Sequence, residues 1–171
     1  LAKFKQVFGS NMGSYQRKKY VCKLLYIFML GYRVELGRRE AILLCGAKKF
    51  AEKQVGYLAV GVLLHDGHDL MEQLIEVLNH DIDSSNFEIQ ALAVTAIANI
   101  GGRVLAQRFG DKIINIMMSQ NSTTQLKKKA SICLLRIMRQ NPDILKPEFM
   151  MLKIQQLLGM YHLGLLTSVM S

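Results

Sequence analysis

Proline, which interrupts helices, is scarce in the sequence. It contains only two prolines, Pro142 and Pro147, among 171 residues, and no run of alternating β-branched residues. Proline inside a helix removes a backbone hydrogen bond, and alternation of apolar and polar residues is typical of strands. Leu, Ala, Met and Lys, which favour helix, are abundant. The composition therefore predicts an all-α protein.

Long apolar runs are missing as well. The longest, Leu24 to Leu30, is far shorter than the roughly 20 residues that span a bilayer, so we expect no transmembrane helix. Leu1 is not followed by a charged segment and then an apolar one, so we expect no secretory signal. The segment from His162 starts like a helix and stops without a cap. We expect residues 1–171 to form a single domain that is a fragment truncated at both ends.

Cysteine is scarce, and the three cysteines are far apart in the sequence. Cys22, Cys45 and Cys133 each lie inside an apolar run with helical spacing. An odd number of isolated cysteines is not typical of a disulfide framework or a metal site. We expect three reduced, buried thiols in a cytosolic protein.

Acidic residues are almost absent from the N-terminal part. Up to Arg39 there are nine Lys and Arg and one acid, Glu35, whereas the remaining residues hold thirteen bases and twelve acids. Nearly all of the formal net charge of +9 therefore comes from one end of the chain. Such a basic end attracts phosphate groups of nucleic acids or of anionic lipids.

Helical segments recur at a regular interval. Segments with apolar residues at i, i+3, i+4 and i+7 begin near Ser14, Ala51, Asn86, Thr124 and Tyr161, at spacings of 37, 35, 38 and 37 residues. The first four are predicted at 14–31, 51–65, 86–100 and 124–139, and second helices between them at 38–45, 69–79, 103–118 and 148–158. This period is typical of a helical-pair solenoid. The predicted fold is a right-handed alpha-alpha superhelix of the armadillo or HEAT type.

A small residue recurs at one register of the first helices: Cys22, Gly56, Ala91, Ala130 and Gly164. Small side chains let helix backbones approach closely, so this register is predicted at the helix crossings. The apolar residues that follow are predicted to fill the shared core: Leu24, Leu25, Leu58, Val60, Leu92, Val94, Cys133, Leu134, Leu165 and Leu166. Val21 and Phe28 are placed on the core side of the first helix. The second helices are more amphipathic, which predicts one exposed face.

Candidates for catalysis or metal binding are few. His65, Asp66, His68 and Asp69 cluster at a predicted turn, where Asp69 is expected to cap the next helix. Residues 81–85 are predicted to form an acidic loop, preceded by His80, and His162 is expected at a helix start. The glycines before Arg103 lack the spacing of a phosphate loop and predict a helix end. We expect no enzyme, metal or cofactor.

The basic cluster at the start of the first helix is the candidate functional site. Ser14 is predicted as the N-cap, and Arg17, Lys18, Lys19, Tyr20 and Lys23 follow in the first turns, with Lys3 and Lys5 as possible additions. Arg17 and Lys18 are expected to face solvent together. Cations are slightly unfavourable at a helix start, so their concentration there indicates a function. Together with the backbone N–H groups they predict an anion-binding site.

Several segments resemble the N-terminal trunk of the large adaptins. These are residues 18–31 (KKYVCKLLYIFMLG), 52–58 (EKQVGYL), 97–101 (IANIG), 130–136 (ASICLLR) and 162–166 (HLGLL). Within that family, KKYVCKLL and CLLR followed by Asn141-Pro142-Asp143 are most similar to the alpha subunit of the plasma-membrane clathrin adaptor complex. Residues 29–32 (MLGY) are more similar to the gamma subunit of the trans-Golgi complex.

The resemblance implies a structural scaffold in vesicle-mediated transport and endocytosis, on the cytosolic face of the plasma membrane in coated pits. It implies beta adaptin, mu and sigma subunits as partners, with clathrin bound indirectly. It also implies that Arg17, Lys18, Lys19, Tyr20 and Lys23 bind phosphatidylinositol bisphosphate, with arginine standing where lysine is usual. The family's dileucine-cargo site would lie outside this fragment.

Two alternatives stay open at the level of the sequence. A gamma-type adaptin would work at trans-Golgi or endosomal membranes with a different phosphoinositide. A helical-repeat nucleic-acid or transport-receptor scaffold would use the same basic end to bind other polyanions, with a steep dependence on salt.

Overall fold

The computed structural model describes residues 8, 12–65 and 67–140, and the two longer ranges contain seven α-helices and no strand. The helices are α1 (Ser14–Met29), α2 (Arg38–Cys45), α3 (Phe50–Leu63), α4 (Met71–Ile82), α5 (Phe87–Ile100), α6 (Arg103–Met118) and α7 (Thr124–Gln140). The predicted all-α fold is confirmed, and α2 and α6 have the predicted bounds. The helices predicted after residue 140 lie outside the described residues.

The helices pack as stacked pairs in layers. The odd-numbered helices form one layer, which we call the odd layer, in which α1 contacts α3, α3 contacts α5, and α5 contacts α7. The even-numbered helices α2, α4 and α6 each pack against the odd helix that follows, and α2 also contacts α4. This arrangement is the predicted helical-pair solenoid, in which each pair buries its apolar face against its neighbours.

Glycine ends α1 close to the end of the predicted range 14–31. Gly31 has φ +89°, a conformation that side chains other than glycine rarely adopt. Its N–H donates to the Phe28 carbonyl, and the Tyr32 N–H donates to the Ile27 carbonyl at 3.3 Å. These two bonds form a Schellman motif and satisfy carbonyls that the helix end would leave open. The chain then turns towards α2.

A tight helix crossing lies between α2 and α3, at the predicted small-residue register. Gly56 is buried, and a Cβ added to it would stand 2.5 Å from the Cys45 backbone nitrogen and 2.9 Å from the Ala41 carbonyl oxygen. Ala130 on α7 is also fully buried. The register predicted for Gly56 and Ala130 is therefore confirmed.

Three side chains predicted in the core are exposed instead. Cys22 and Phe28 on α1 and Leu58 on α3 point away from the buried stripe of their helices. On α1, Val21, Leu24 and Leu25 form that stripe, and Cys22 lies one residue further around the helix. Local sequence places a residue on a helix but does not show how wide the covered face is. Cys45 and Cys133 are buried, as predicted, and burial raises the pKa of the Cys133 thiol to about 12.

Two predicted helix caps are wrong. The N-cap of α1 is Gly13 and not Ser14, which is the first helical residue. Asp69 does not cap α4, whose N-cap is Leu70; the Leu70 N–H instead donates to His68 Nδ1 at 3.1 Å. Both errors concern one-residue shifts of a helix start, which composition alone does not fix.

Candidate anion-binding site

The first turn of α1 offers a helix start without an acidic residue. The N-cap Gly13 has no side chain that could accept a hydrogen bond from the first turn, and no Asp or Glu occurs in that turn. The helix start therefore keeps its partial positive charge, to which the neighbouring bases add. The first turn itself supplies no anion, so the arrangement favours an anion from outside the helix.

Lys18, Lys19 and Lys23 supply the accessible charge of the site. Lys19 and Lys23 are exposed and lie one turn apart, and Lys18 is half-buried. Within the described residues, none of the three forms an ion pair with a carboxylate within 4.0 Å. Their mutual repulsion is therefore not compensated by the described part of the chain.

Tyr20 forms an aromatic flank of this cluster. Its ring lies 5.2 Å from Lys23 Nζ, measured to the ring centroid, which is a cation–π distance. The Phe8 ring packs edge-on against the Tyr20 ring at 6.3 Å between centroids. These contacts position Tyr20 and Lys23 together.

Arg17 differs from the lysines of the cluster. Its side chain is half-buried, and Nη2 donates to the Met12 carbonyl at 3.1 Å. Its Nε is buried and has no hydrogen-bond partner among the described residues. Arg17 therefore tethers the segment before α1, and the expectation that it faces solvent together with Lys18 is wrong. Lys3 and Lys5, the possible additions, lie outside the described residues.

A buried ionic cluster joins three helices, and no local sequence pattern reveals it. Asp81 is 1% exposed at the end of α4, where the sequence predicts a loop. Its Oδ2 accepts hydrogen bonds at 2.5 Å from Lys53 Nζ and from the Tyr57 hydroxyl, both on α3. Lys53 Nζ also donates to the Cys45 carbonyl at the end of α2. Burial, and then the hydrogen bond to Asp81, raise the pKa of the Tyr57 phenol.

The geometry of this cluster indicates a structural role. Its ammonium, carboxylate and phenol groups have partners within the fold, and the three helices are fixed relative to one another. Lys53 and Asp81 are 28 residues apart in sequence, so periodicity along the chain does not connect them. The acidic composition of residues 81–85 is the only local signal, and it is typical of a loop.

The histidine cluster at the turn between α3 and α4 has no ligand geometry among the described residues. The rings of His65 and His68 lie 5.8 Å apart and tilted, and His68 accepts the Leu70 N–H. Over residues 8, 12–65 and 67–140, no three His, Cys, Asp or Glu side chains come close enough to hold a metal ion. His162 lies outside the described residues.

The stacked helix pairs define a helical-repeat scaffold, with a cluster of bases at the start of α1. None of the helices in the described ranges has the length and apolar character needed to cross a membrane. The chain belongs to the family described as the adaptin N-terminal region, whose model matches residues 1–170. Adaptins are structural adaptor subunits and not enzymes, in agreement with the interpretation as a scaffold.

Curated relatives share this region with the chain. It is 42% identical over 154 residues to AP-2 complex subunit alpha-1 of Arabidopsis thaliana and 41% identical over 150 residues to AP-2 complex subunit alpha of Schizosaccharomyces pombe. It is 32% identical over 152 residues to AP-1 complex subunit gamma-1 of Mycosarcoma maydis. These matches cover 90%, 87% and 89% of the chain and 15%, 17% and 17% of the relatives. The chain thus spans about one sixth of the length of these proteins.

Proposed function

We propose that the chain is part of the trunk of an alpha-type large subunit of a clathrin adaptor complex and docks on phosphoinositide headgroups through α1. The observation that carries the docking proposal is the cluster of Lys18, Lys19 and Lys23, which has no carboxylate partner in the described residues. Each base close to an anionic leaflet contributes roughly 1 kcal/mol to binding. Three such residues give a weak contact that other contacts on the same complex would reinforce.

The alpha type is favoured over the gamma type by similarity. The chain is 42% identical to an alpha subunit and 32% identical to a gamma subunit over nearly the same length. An alpha-type chain would work at coated pits on the cytosolic face of the plasma membrane. A gamma-type chain would work at trans-Golgi or endosomal membranes with another phosphoinositide.

The same assignment supplies the proposed partners. A trunk of this kind would assemble with beta adaptin and with mu and sigma subunits, and would reach clathrin only indirectly. Apolar side chains exposed on the last turn of α1 and just after it are consistent with protein contacts there, and they include Met29, 79% exposed, and Tyr32. The complete protein would be longer than these 171 residues, as its relatives are.

The lipid contact is tested with the variant K18Q/K19Q/K23Q. We expect it to lose most of its binding to phosphatidylcholine vesicles that contain phosphatidylinositol bisphosphate, while the circular dichroism spectrum stays unchanged. Arg17 is left intact because it bonds the Met12 carbonyl and its loss would disturb the fold. Binding equal to wild type would refute the phosphoinositide site. Preference for RNA over these vesicles would instead favour the nucleic-acid scaffold.

A further inference from the structure

A second group of bases lies on α7, a helix that contains no acidic residue of its own. Lys127, Lys128 and Lys129 follow one another at the end of its first turn and the start of its second, and the helix contains no Asp or Glu from Thr124 to Gln140. Lys128 and Lys129 are exposed, and Lys127 is half-buried. The three lysines lie in a helix that has the apolar spacing of the repeat. The sequence pattern is therefore explained by the fold, and it indicates no separate role for the lysines.

The two basic groups occupy the same register of the repeat. Arg17, Lys18 and Lys19 are the fourth to sixth residues of α1, and Lys127, Lys128 and Lys129 are the fourth to sixth residues of α7. In α5 these positions hold no base, and in α3 the only base is Lys53, which is buried against Asp81. The basic triplets therefore belong to the first and last odd helices of the described residues.

Both groups lie at one edge of the odd layer. The Arg38 side chain at the start of α2 donates to the Leu63 carbonyl at the end of α3, and the Gly102 N–H just before α6 donates to the Gln140 side chain at the end of α7. Each of these even helices therefore runs opposite to the odd helix that follows it, and we infer that the odd helices run parallel. Arg136 Nη1 donates to the Ala98 carbonyl, which joins α7 to α5 near the end of both helices. The starts of α3, α5 and α7 line one groove, which includes Phe50, Phe87 and Gln125. We call this edge the N-terminal edge of the odd layer.

The two groups are too far apart to act as one charge. Packed helices lie 8–10 Å apart, so three steps from α1 to α7 amount to roughly 30 Å. Charges are screened over about 8 Å at physiological salt, so each group must find its own anion. Exposed Lys48 and Lys49 precede α3 at the same edge, between the two groups.

The lysines of α7 lack a counter-charge in the described residues. Lys129 Nζ contacts the Thr95 hydroxyl at 3.3 Å, and no described carboxylate lies within 4.0 Å of any of the three ammonium groups. Glu88 lines the same groove as Lys129 without forming an ion pair with it. An external anion would therefore relieve the repulsion among the three charges.

We propose that Lys127, Lys128 and Lys129 form a second contact with the phosphate groups of an anionic bilayer, on the same face as the α1 site. The proposal rests on the proposed function for the first contact. A flat anionic surface reaches both groups at once, and two linked weak contacts bind more tightly than either alone. The side chains of Phe50 and Phe87, 40% and 41% exposed at the same edge, fit the boundary between headgroups and acyl chains, where interfacial helices bury Trp, Phe and Leu side chains.

The test compares K127Q/K128Q/K129Q with a control that loses the same charge elsewhere. The control is R39Q/R108Q/R139Q, whose three exposed arginines lie away from the N-terminal edge. Binding is measured by sedimentation with phosphatidylcholine vesicles containing phosphatidylserine and phosphatidylinositol bisphosphate. We expect a loss of about tenfold or more for the α7 variant relative to the control, because each base near such a surface contributes roughly a fivefold factor. If the triple variant does not fold, K128Q/K129Q replaces it, since both side chains are exposed.

The outcomes separate this proposal from the first one. If both lysine variants lose binding, both contacts stand. If only K18Q/K19Q/K23Q loses binding, the second contact is refuted and the α1 site stands. If only the α7 variant loses binding, the second contact stands and the α1 site is refuted. Equal losses in the α7 variant and the control, or binding of the α7 lysines to RNA and not to vesicles, would overturn the proposal.

Discussion

At the scale of the residue, Gly56 determines how closely α2 and α3 approach. The backbone of α2 occupies the space where a Cβ would stand, 2.5 Å from the Cys45 nitrogen. Backbone atoms cannot rotate away as a flexible side chain can, so the two helices would have to separate. Gly110 on α6 offers a contrast, because nothing in the described residues lies within 4 Å of a Cβ built there.

We therefore expect G56A to destabilise the chain by about 1–3 kcal/mol, the usual cost of overpacking. The control G110A should stabilise it by about 0.5–1 kcal/mol, because alanine favours helix over glycine. Urea denaturation followed by circular dichroism measures both free energies of unfolding. Equal stability of G56A and wild type would show that the α2–α3 crossing is looser than described.

At the scale of the element, the pair Lys53–Asp81 holds α3 against α4, and the Cys45 carbonyl adds the end of α2. The side chains are 8% and 1% exposed, so removing one partner leaves a charge buried without compensation. The pair Lys112–Asp83 has a similar distance of 2.6 Å but side chains that are 37% and 63% exposed. Solvent therefore screens the second pair and not the first.

We expect K53M to cost about 3–5 kcal/mol, the range found when a buried pair loses one partner. K53M/D81L should cost less than the sum of its single variants, because it leaves no buried charge. K112M should change stability by less than about 1 kcal/mol, as for other exposed pairs. Denaturant titration of K53M, D81L, K53M/D81L and K112M gives the comparison, and similar losses for K53M and K112M would contradict it.

At the scale of the whole molecule, the odd layer gathers bases at one edge. The stacking of parallel helices brings the starts of α1 and α7 to the same side, although they are about 110 residues apart in sequence. The proposed contacts with a bilayer depend on charge, and binding by charge depends on ionic strength. Binding through the apolar side chains between the bases would not depend on ionic strength in this way.

We expect binding to anionic vesicles to weaken steadily when the salt concentration rises from about 50 to about 200 mM, because the screening length falls over that range. Phosphatidylcholine vesicles without anionic lipid provide the control and should show little binding at either concentration. Binding that is independent of salt would mean that the exposed aromatic residues, and not the lysines, bind the vesicles.

Much of the fold could be predicted from the sequence. Apolar spacing places α2 and α6 at their observed bounds, with glycines before α6, and the small-residue register identifies Gly56 and Ala130 before any contact is known. These features are local, since helix periodicity and breakers depend on residues a few positions apart. The location of the basic cluster on α1 follows from the same kind of signal.

Only the tertiary structure decided which faces are covered and which charges are paired. Cys22 and Leu58 satisfy the apolar pattern and are nevertheless exposed, whereas Asp81 resembles a loop residue and is buried. Arg17 and Lys53 are bases like others in the sequence, but the fold engages Arg17 with a carbonyl and Lys53 with Asp81. The sequence determines the helices and their period because these depend on neighbours along the chain. Burial and pairing depend on residues tens of positions away, which meet only when the helices stack.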